Sequence, residues 1–501
     1  MDSAPTRQPA PDAARPNILL ICTDQFRADA LGCAGHRIVE TPNLDRLAQR
    51  GVRFSRSYCS APVCIPTRVS LFSGLYPHSL GKVAHVRMAL DPRIRMLPAY
   101  LREAGYRTGI VGKTHFWPAT EVYGTEHARL TIDAHLTGEL GEHDAYKVYL
   151  RDQGLPDGAD ESQLPAEHYR TAWTAREAAA FIRSADDRPF FLFCSFVKPH
   201  PPFDPPEPYR SRYADADFPP PVAREDEFAT RPAFIRTRMD RALVEDAEGL
   251  RDMKAKYFGL VTMIDAAIGD VLQALDESGA LANTVIVFTS DHGEFLGDHW
   301  MRNKTLLYEP SAAVPLIIAG PGVRGGRVAT ALTGHVDILP TLLDLAGVEA
   351  PTRREGLSLR PVLSSRDDVA LRDAMFAELV VQIRIRGDGI WCNNLKMVAT
   401  DRYKYCYYSR VLGGNGTEEE LFDLASDPHE FHNLASGQDG RRICAEMRDR
   451  LLEWLARAEE HRLYPADDRY PYSTYLPESG KIVVISPKSR SNATRRDALP
   501  F

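Results

Sequence analysis

The sequence predicts an α/β protein: a mainly parallel, mixed sheet sandwiched by helices, followed by a smaller α+β unit. Three observations carry that expectation. Apolar runs of strand length recur with helical patterns between them. Those runs are continuous rather than alternating, as in strands covered on both faces. Near Asp367 the texture changes to short strands joined by tight turns.

Taken in order, NILLICT (17–23), 108–111, FFLFCSF (190–196) and TVIVFTS (284–290) read as strands, and 315–319 is a weaker candidate. Thr41-Pro42 is a cap-plus-proline start for a helix over 42–50, with Gly51 as its stop. Stretches 169–184 and 251–277 carry apolar faces at a period of 3.6, and another helix starts at His335. Beyond Asp367, strands are expected over 375–380, 395–399, 402–408 and at Leu421–Leu424, with an amphipathic helix over 441–461. The expected units are therefore 16–370, 371–462 with a small antiparallel sheet and a helix, and an extended Pro/Tyr/Ser-rich arm over 463–501.

The bulk properties exclude several classes. The chain has 501 residues, with 68 acids against 61 bases and a net charge of −7, so no polycationic surface for nucleic acid is implied. No stretch approaches eighteen uninterrupted apolar residues, and the N-terminal MDSAPTRQPAPDAARP lacks an apolar signal core. Eight scattered cysteines with no CxxC pair favour reduced thiols. A cytoplasmic location without membrane attachment is the expectation, which makes the sequons at Asn415 and Asn492 chance matches.

Ligands in open α/β sheets sit outside the carboxyl ends of the strands. Four such ends carry unusual chemistry: Asp24-Gln25, Lys113-Thr114-His115, Lys198-Pro199-His200 and Asp291-His292-Gly293-Glu294. Each alone is as well explained by caps and turns. Together they predict one crevice. Asp24, Gln25, Asp291 and His292 are oxygen donors with one imidazole, a set suited to Ca²⁺, Mg²⁺ or Mn²⁺. Arg68, Lys113, His115, Lys198, His200 and Lys304 are cationic or protonatable and can neutralise a tetrahedral oxyanion. The cassette Cys64-Ile65-Pro66-Thr67-Arg68 opens a helix that Gly74 can end, placing residue 64 among exposed backbone N–H groups. A small buried thiol opening an ordinary helix fits that cassette equally well on its own.

With these residues assembled, the chain resembles the type I sulfatases of the alkaline phosphatase superfamily, from Pro16 to about Leu434. Cys64-x-Pro66-x-Arg68 with Leu71-Phe72-Ser73-Gly74 matches the family's first signature. Gly105–His115 resembles the second, Ser290–Glu294 a third motif, and Leu421–Leu424 with Asp427-Pro428 the C-terminal strand. The resemblance implies an alkaline phosphatase-like fold and a sulfuric ester hydrolase in which Cys64 is oxidised to Cα-formylglycine by a formylglycine-generating enzyme. One hydroxyl of the aldehyde hydrate attacks sulfur, and loss of the second hydroxyl's proton then expels sulfate. A serine ester lacks that elimination route.

By position, the resemblance makes Asp24, Gln25, Asp291, His292 and residue 64 the ligands of one divalent metal, with Ca²⁺ favoured over Mn²⁺ or Mg²⁺. Arg68 supports residue 64, Lys113 and Lys304 contact sulfate, His115 is the base for hemiacetal collapse, His200 serves the leaving oxygen, and Lys198 orients substrate. The substrate is a small-molecule or saccharide sulfate ester, and the C-terminal arm suits a homo-oligomer. The chain departs from the common pattern at Gln25, where many relatives have a second acid, and at Thr114, usually aromatic. The Asp-Gln pair also resembles choline sulfatases and phosphonate monoester hydrolases. A phosphonate or phosphodiester hydrolase on this scaffold is therefore the alternative, and a non-catalytic metal- or anion-binding homologue a further one.

Overall fold

The computed structural model describes residues 15–81, 90–91, 93–116, 122–131, 144–157, 161–184, 186–385, 389–410, 416–461, 472–476 and 481–485. The first ten strands in chain order are β1 (Asn17–Asp24), β2 (Val52–Phe54), β3 (Ser57–Tyr58), β4 (Arg107–Lys113), β5 (His127–Thr131), β6 (Phe190–Pro199), β7 (Thr284–Ser290), β8 (Leu316–Ala319), β9 (Arg327–Ala329) and β10 (Thr333–Gly334). Eight of them form one sheet in the order β5-β4-β6-β1-β7-β8-β2-β9, and β3 pairs with β10 separately. Within the large sheet only β8 runs against its neighbours.

The continuous apolar runs are explained by burial on both faces. Leu19 and Ile21 of β1 pack with helices Pro42–Arg50, Arg170–Arg183 and Ala247–Glu277. Their neighbours Ile18, Leu20 and Cys22 point the other way, into a cluster with helices Cys64–Ser73, Leu97–Glu103 and Ile338–Leu345. The strands of the large sheet that sequence periodicity missed, β2, β5 and β9, are short or lie near its edges. β5, HARLT, is an outermost strand with its first two residues exposed, so it carries no apolar signature. Helix Ala247–Glu277 is long and apolar enough to cross a membrane. However, 72% of its most apolar window is buried inside the fold, where it covers the sheet.

A second sheet follows as an antiparallel meander: β11 (Met375–Ile385), β12 (Gly389–Ala399), β13 (Tyr403–Arg410) and β14 (Thr417–Asp423). Helix Gln438–His461 packs on it through Cys444, Met447, Leu451 and Trp454. The same apolar cluster includes Tyr58, Phe295, Leu307 and Tyr308, so the small sheet is packed directly on the loop that follows β7. In the expected arm, β15 (Tyr472–Leu476) and β16 (Lys481–Ile485) pair as an antiparallel hairpin, and its other residues lie outside the described ones. Asn415 and Asn492 also lie outside them.

An ion triad centred on Lys404 ties the small sheet to the segment that follows β7. Lys404 on β13 is fully buried, with Nζ 3.0 Å from Glu309 and 2.8 Å from Glu430. Glu430 is fully buried while Glu309 is partly exposed, so removing the cation strands the Glu430 carboxylate away from water, which costs more than the intact cluster contributes. Lys404→Met is expected to destabilise the fold by about 3–5 kcal/mol. Chemical denaturation would show this as a lower midpoint, whereas an unchanged midpoint would mean that solvent reaches the triad.

Candidate functional site

The site is assembled by the carboxyl ends of four adjacent strands and one helix start. β1 ends at Asp24, β4 at Lys113, β6 at Pro199 just before His200, and β7 just before Asp291. Because these strands run parallel, their ends open on the same edge. At Gly112 the chain adopts a φ of 95°, and a Cβ there would lie 1.9 Å from the Ser195 carbonyl oxygen. Only glycine permits β4 to close on β6 and turn Lys113 inward.

Helix Cys64–Ser73 supplies the centre, and all ten of its residues are buried. Its first turn is tied to β7 through His335. Thr67 Oγ1 lies 2.7 Å from His335 Nδ1, and His335 Nε2 lies 2.9 Å from the Ser290 carbonyl. Burial pushes this imidazole down to about 3, so it is neutral. A carbonyl only accepts, so Nε2 donates to it and Nδ1 accepts from Thr67. This brace was not legible beforehand, because Thr67 occupies a variable place in the signature and His335 reads as a helix start.

Around Cys64, one atom each from Asp24, Cys64, Asp291 and His292 falls within 4.8 Å of the others, all four residues being buried. Cys64 Sγ is 3.8 Å from Asp24 Oδ1 and 3.3 Å from His292 Nε2. His292 Nδ1 is 3.0 Å from the Gly293 carbonyl. That bond fixes the tautomer, so Nε2 carries the inward lone pair. Two carboxylates, one such imidazole and residue 64 make a donor set that fits a divalent cation. Burial raises the proton affinity of Asp291, with Asp24 adding to it, while Lys113, His200 and Lys304 outweigh burial and Cys64 to hold Asp24 low.

Cations surround the same point. Arg68, 1% exposed, donates from Nε to Asp291 Oδ2 at 2.8 Å, and from Nη1 to the Lys113 carbonyl at 3.0 Å and Ser195 Oγ at 2.9 Å. Lys113 Nζ is 2.7 Å from Asp24 Oδ2. Lys304 Nζ is 3.5 Å from Cys64 Sγ. Burial alone would push the Cys64 thiol up, but Lys304, Lys113 and His292, with a hydrogen bond from His115, hold it well below its ordinary value. Three cations face two carboxylates here, which suits an anionic guest even before a metal is added. His115 sits at a φ of 55°, a strained backbone that aims its ring at residue 64.

Burial pushes His200 down to about 4, so its ring is neutral; Nδ1 lies 2.7 Å from the Pro201 carbonyl and therefore donates, which leaves Nε2 an acceptor. Two other residues sit differently from the sequence-based expectation. Lys198 does not join the cluster: its ammonium donates to the Pro202 carbonyl at 2.7 Å and pairs with Asp204. A lysine held in its own loop braces that loop and leaves no charge for a substrate. Gln25 lies beside the four-atom cluster, but its Oε1 accepts from Lys304 Nζ at 2.6 Å and its Nε2 donates to Glu294.

Comparison with known proteins agrees with this geometry. The family model described as Sulfatase matches residues 16–348, and a model of the C-terminal part of N-sulphoglucosamine sulphohydrolase matches 297–457. An arylsulfatase of Clostridium perfringens is 33% identical over 484 residues, covering 89% of this chain and 95% of the relative. A choline-sulfatase of Rhizobium meliloti is 30% identical over 452 residues, covering 85% and 83%. The crystal structure of a phosphonate monoester hydrolase of Agrobacterium radiobacter superposes with a TM-score of 0.76 at 29% identity, covering 94% of this chain and 99% of that one. Agreement of this extent runs far beyond the cysteine cassette and takes in both sheets: the chain belongs to the sulfatase family and is a hydrolase of sulfate esters.

Proposed function

We propose that the protein cleaves a sulfate monoester to alcohol and sulfate, using the hydrated formylglycine made from Cys64. The single observation that carries this reading is the position of residue 64, held between a metal-type donor set and two lysines. The Cys64 Sγ stands where a hydrate oxygen would be. Asp24, Asp291 and His292 would hold a divalent cation beside it, and the carboxylate donors suit a hard ion of the Ca²⁺, Mg²⁺ or Mn²⁺ kind. When bound, that ion lowers the proton affinity of the attacking hydroxyl and draws charge from a sulfate oxygen.

The protein's own side chains supply the rest. Arg68 neutralises Asp291 and fixes the helix start against β4 and β6. Lys113 and Lys304 approach the sulfate oxygens, where charge spreads as the S–O bond to the alcohol breaks. His115 takes the proton from the second hydroxyl, so that the sulfated residue 64 collapses to aldehyde and free sulfate. His200 serves the leaving oxygen. Its neutral state gains proton affinity when an anion occupies the site, because the anion offsets the lysine charges that help depress it. A formylglycine-generating enzyme is the partner required for maturation.

The Lys113/His115 pair supports sulfate; the Asp24-Gln25 pair resembles both choline sulfatases and phosphonate monoester hydrolases, and the phosphonate monoester hydrolase neighbour supports a phosphonate ester as the second reading. Turnover of 4-nitrophenyl sulfate and of 4-nitrophenyl phenylphosphonate separates them. Sulfate turnover is expected to lead, and a kcat/KM higher by about tenfold or more for the phosphonate would assign the second activity. In the same preparation, the peptide carrying residue 64 is expected to weigh about 18 Da less than its thiol form. A fully unmodified thiol from a host with the maturation enzyme would remove the mechanism.

A further inference from the structure

The buried shell around Lys304 contains a group without a role in the chemistry above. Glu294 is fully buried. Its Oε1 accepts from the backbone N–H of Leu296 at 3.0 Å and of Asn303 at 2.6 Å, and its Oε2 accepts from Gln25 Nε2. Gln25 Oε1 in turn accepts from Lys304 Nζ, which reaches Cys64. Carboxylate, amide and ammonium thus form one line ending at the reacting residue.

The polarity of that line is determined at both ends. An ammonium only donates, so it must face the amide oxygen; the amide nitrogen then needs an acceptor, which is the Glu294 carboxylate. The Gln25 backbone contributes no freedom. It is held at a φ of 72°, with its N–H donating to Asp291 Oδ1 at 3.1 Å and its carbonyl accepting from Tyr257 Oη at 2.9 Å. Only the direction of the side-chain amide remains to be set. Asn303 and Thr305, on either side of Lys304, sit at φ values of 66° and 84°. The loop is thus strained where the lysine leaves it, and it is pinned there by Glu294.

We propose that Glu294 is a positioning residue for Lys304, acting through the Gln25 amide, whose orientation it sets. This rests on Lys304 contacting the sulfate group. Glu294→Gln is isosteric, and its Oε1 can keep both backbone hydrogen bonds, so the loop is retained. Its new NH₂ group then meets the NH₂ group of Gln25. If Gln25 turns over to relieve that clash, it presents nitrogen to the Lys304 ammonium. Either way one donor faces another, and the lysine loses its hold.

The test is a reciprocal exchange in the full-length, metal-loaded enzyme, read as kcat and KM on 4-nitrophenyl sulfate. Glu294→Gln is expected to lower kcat/KM by about 10²-fold, the scale of an ångström-sized misplacement at a reacting centre. Gln25→Glu sets two carboxylates against each other and is expected to lose a similar amount. The double exchange restores the line, since an NH₂ group at 294 donates to a carboxylate at 25 that still accepts from Lys304. Its kcat/KM is expected to recover to within about tenfold of wild type. In a Lys304→Ala background, Glu294→Gln is expected to add no further loss.

Thermal midpoints and metal content are measured alongside. If Glu294→Gln does not fold, adding it to Gln25→Glu still has to raise kcat/KM above that of Gln25→Glu alone. A wild-type-like Glu294→Gln, or a double exchange no better than its single parents, overturns the inference while leaving the proposed reaction standing. Wild-type turnover by Lys304→Ala overturns both the inference and the role of Lys304.

Discussion

Cys64→Ala is expected to abolish turnover, by roughly 10⁴-fold or more, without unfolding the protein. Among Asp24, Cys64, Asp291 and His292, Cys64 is the member that can be oxidised to an aldehyde. Alanine offers neither the thiol that maturation requires nor an oxygen to replace it. The fold has little reason to suffer. The thiol lies at the head of a helix whose apolar residues, among them Val69, Leu71 and Phe72, are packed in the large cluster beneath the sheet, and none of these is changed. Truncation also relieves burial of the sulfur beside Lys304 and Lys113, of which Lys113 is paired with Asp24 and Lys304 is held by the Gln25 amide oxygen. Initial rates on an aryl sulfate, with a thermal unfolding curve on the same sample, make the check. Residual activity of a few per cent would mean that a water or another side chain can attack sulfur, and that Cys64 is a structural thiol.

His115→Ala has the second-largest expected effect, and its signature is the more diagnostic. If His115 removes the proton that lets the sulfated residue 64 collapse, the first half-reaction survives its loss and the second does not. Rapid mixing is expected to give a stoichiometric burst of aryl alcohol followed by a steady state slowed by about 10²–10⁴-fold, the usual span of a general base. Intact mass during that steady state is expected to show the residue-64 peptide carrying one added SO₃. A His115→Ala enzyme with no burst, no adduct and only a raised KM would make this residue a binding group. The strained backbone at His115 bears on this, because a merely polar wall residue would not require a φ of 55°.

The contrast between what could and could not be read follows from the range of each interaction. Strand and helix identity in the core depends on local patterns, and there the reading holds: the Pro42–Arg50 helix and β7 fall on the expected residues. The outermost strand β5 escaped because an edge strand is partly solvated and has no reason to be apolar. The hairpin β15–β16 escaped because Pro, Tyr and Ser dominate that segment and mask short strands. In the site, the parallel sheet brings Asp24, Lys113, Asp291 and His292 to one edge because each directly ends or follows a strand. That convergence is a topological consequence of motifs visible in the chain.

The sequence by itself determined the doubly covered sheet, the edge at which the polar residues gather, and the position of Cys64 at a helix start among them. Only the tertiary structure decided which partner each long side chain takes. Lys198 and Lys304 are alike in sequence, yet the first is tied to Asp204 within its own loop and the second reaches Cys64 across the site. Gln25 reads as a metal donor by its place beside Asp24, yet its amide is spent between Lys304 and Glu294. The physical reason is geometric. A backbone position is fixed by local periodicity, while a flexible side chain several bonds long is committed only by the buried donor or acceptor that folding brings within about 3 Å of it.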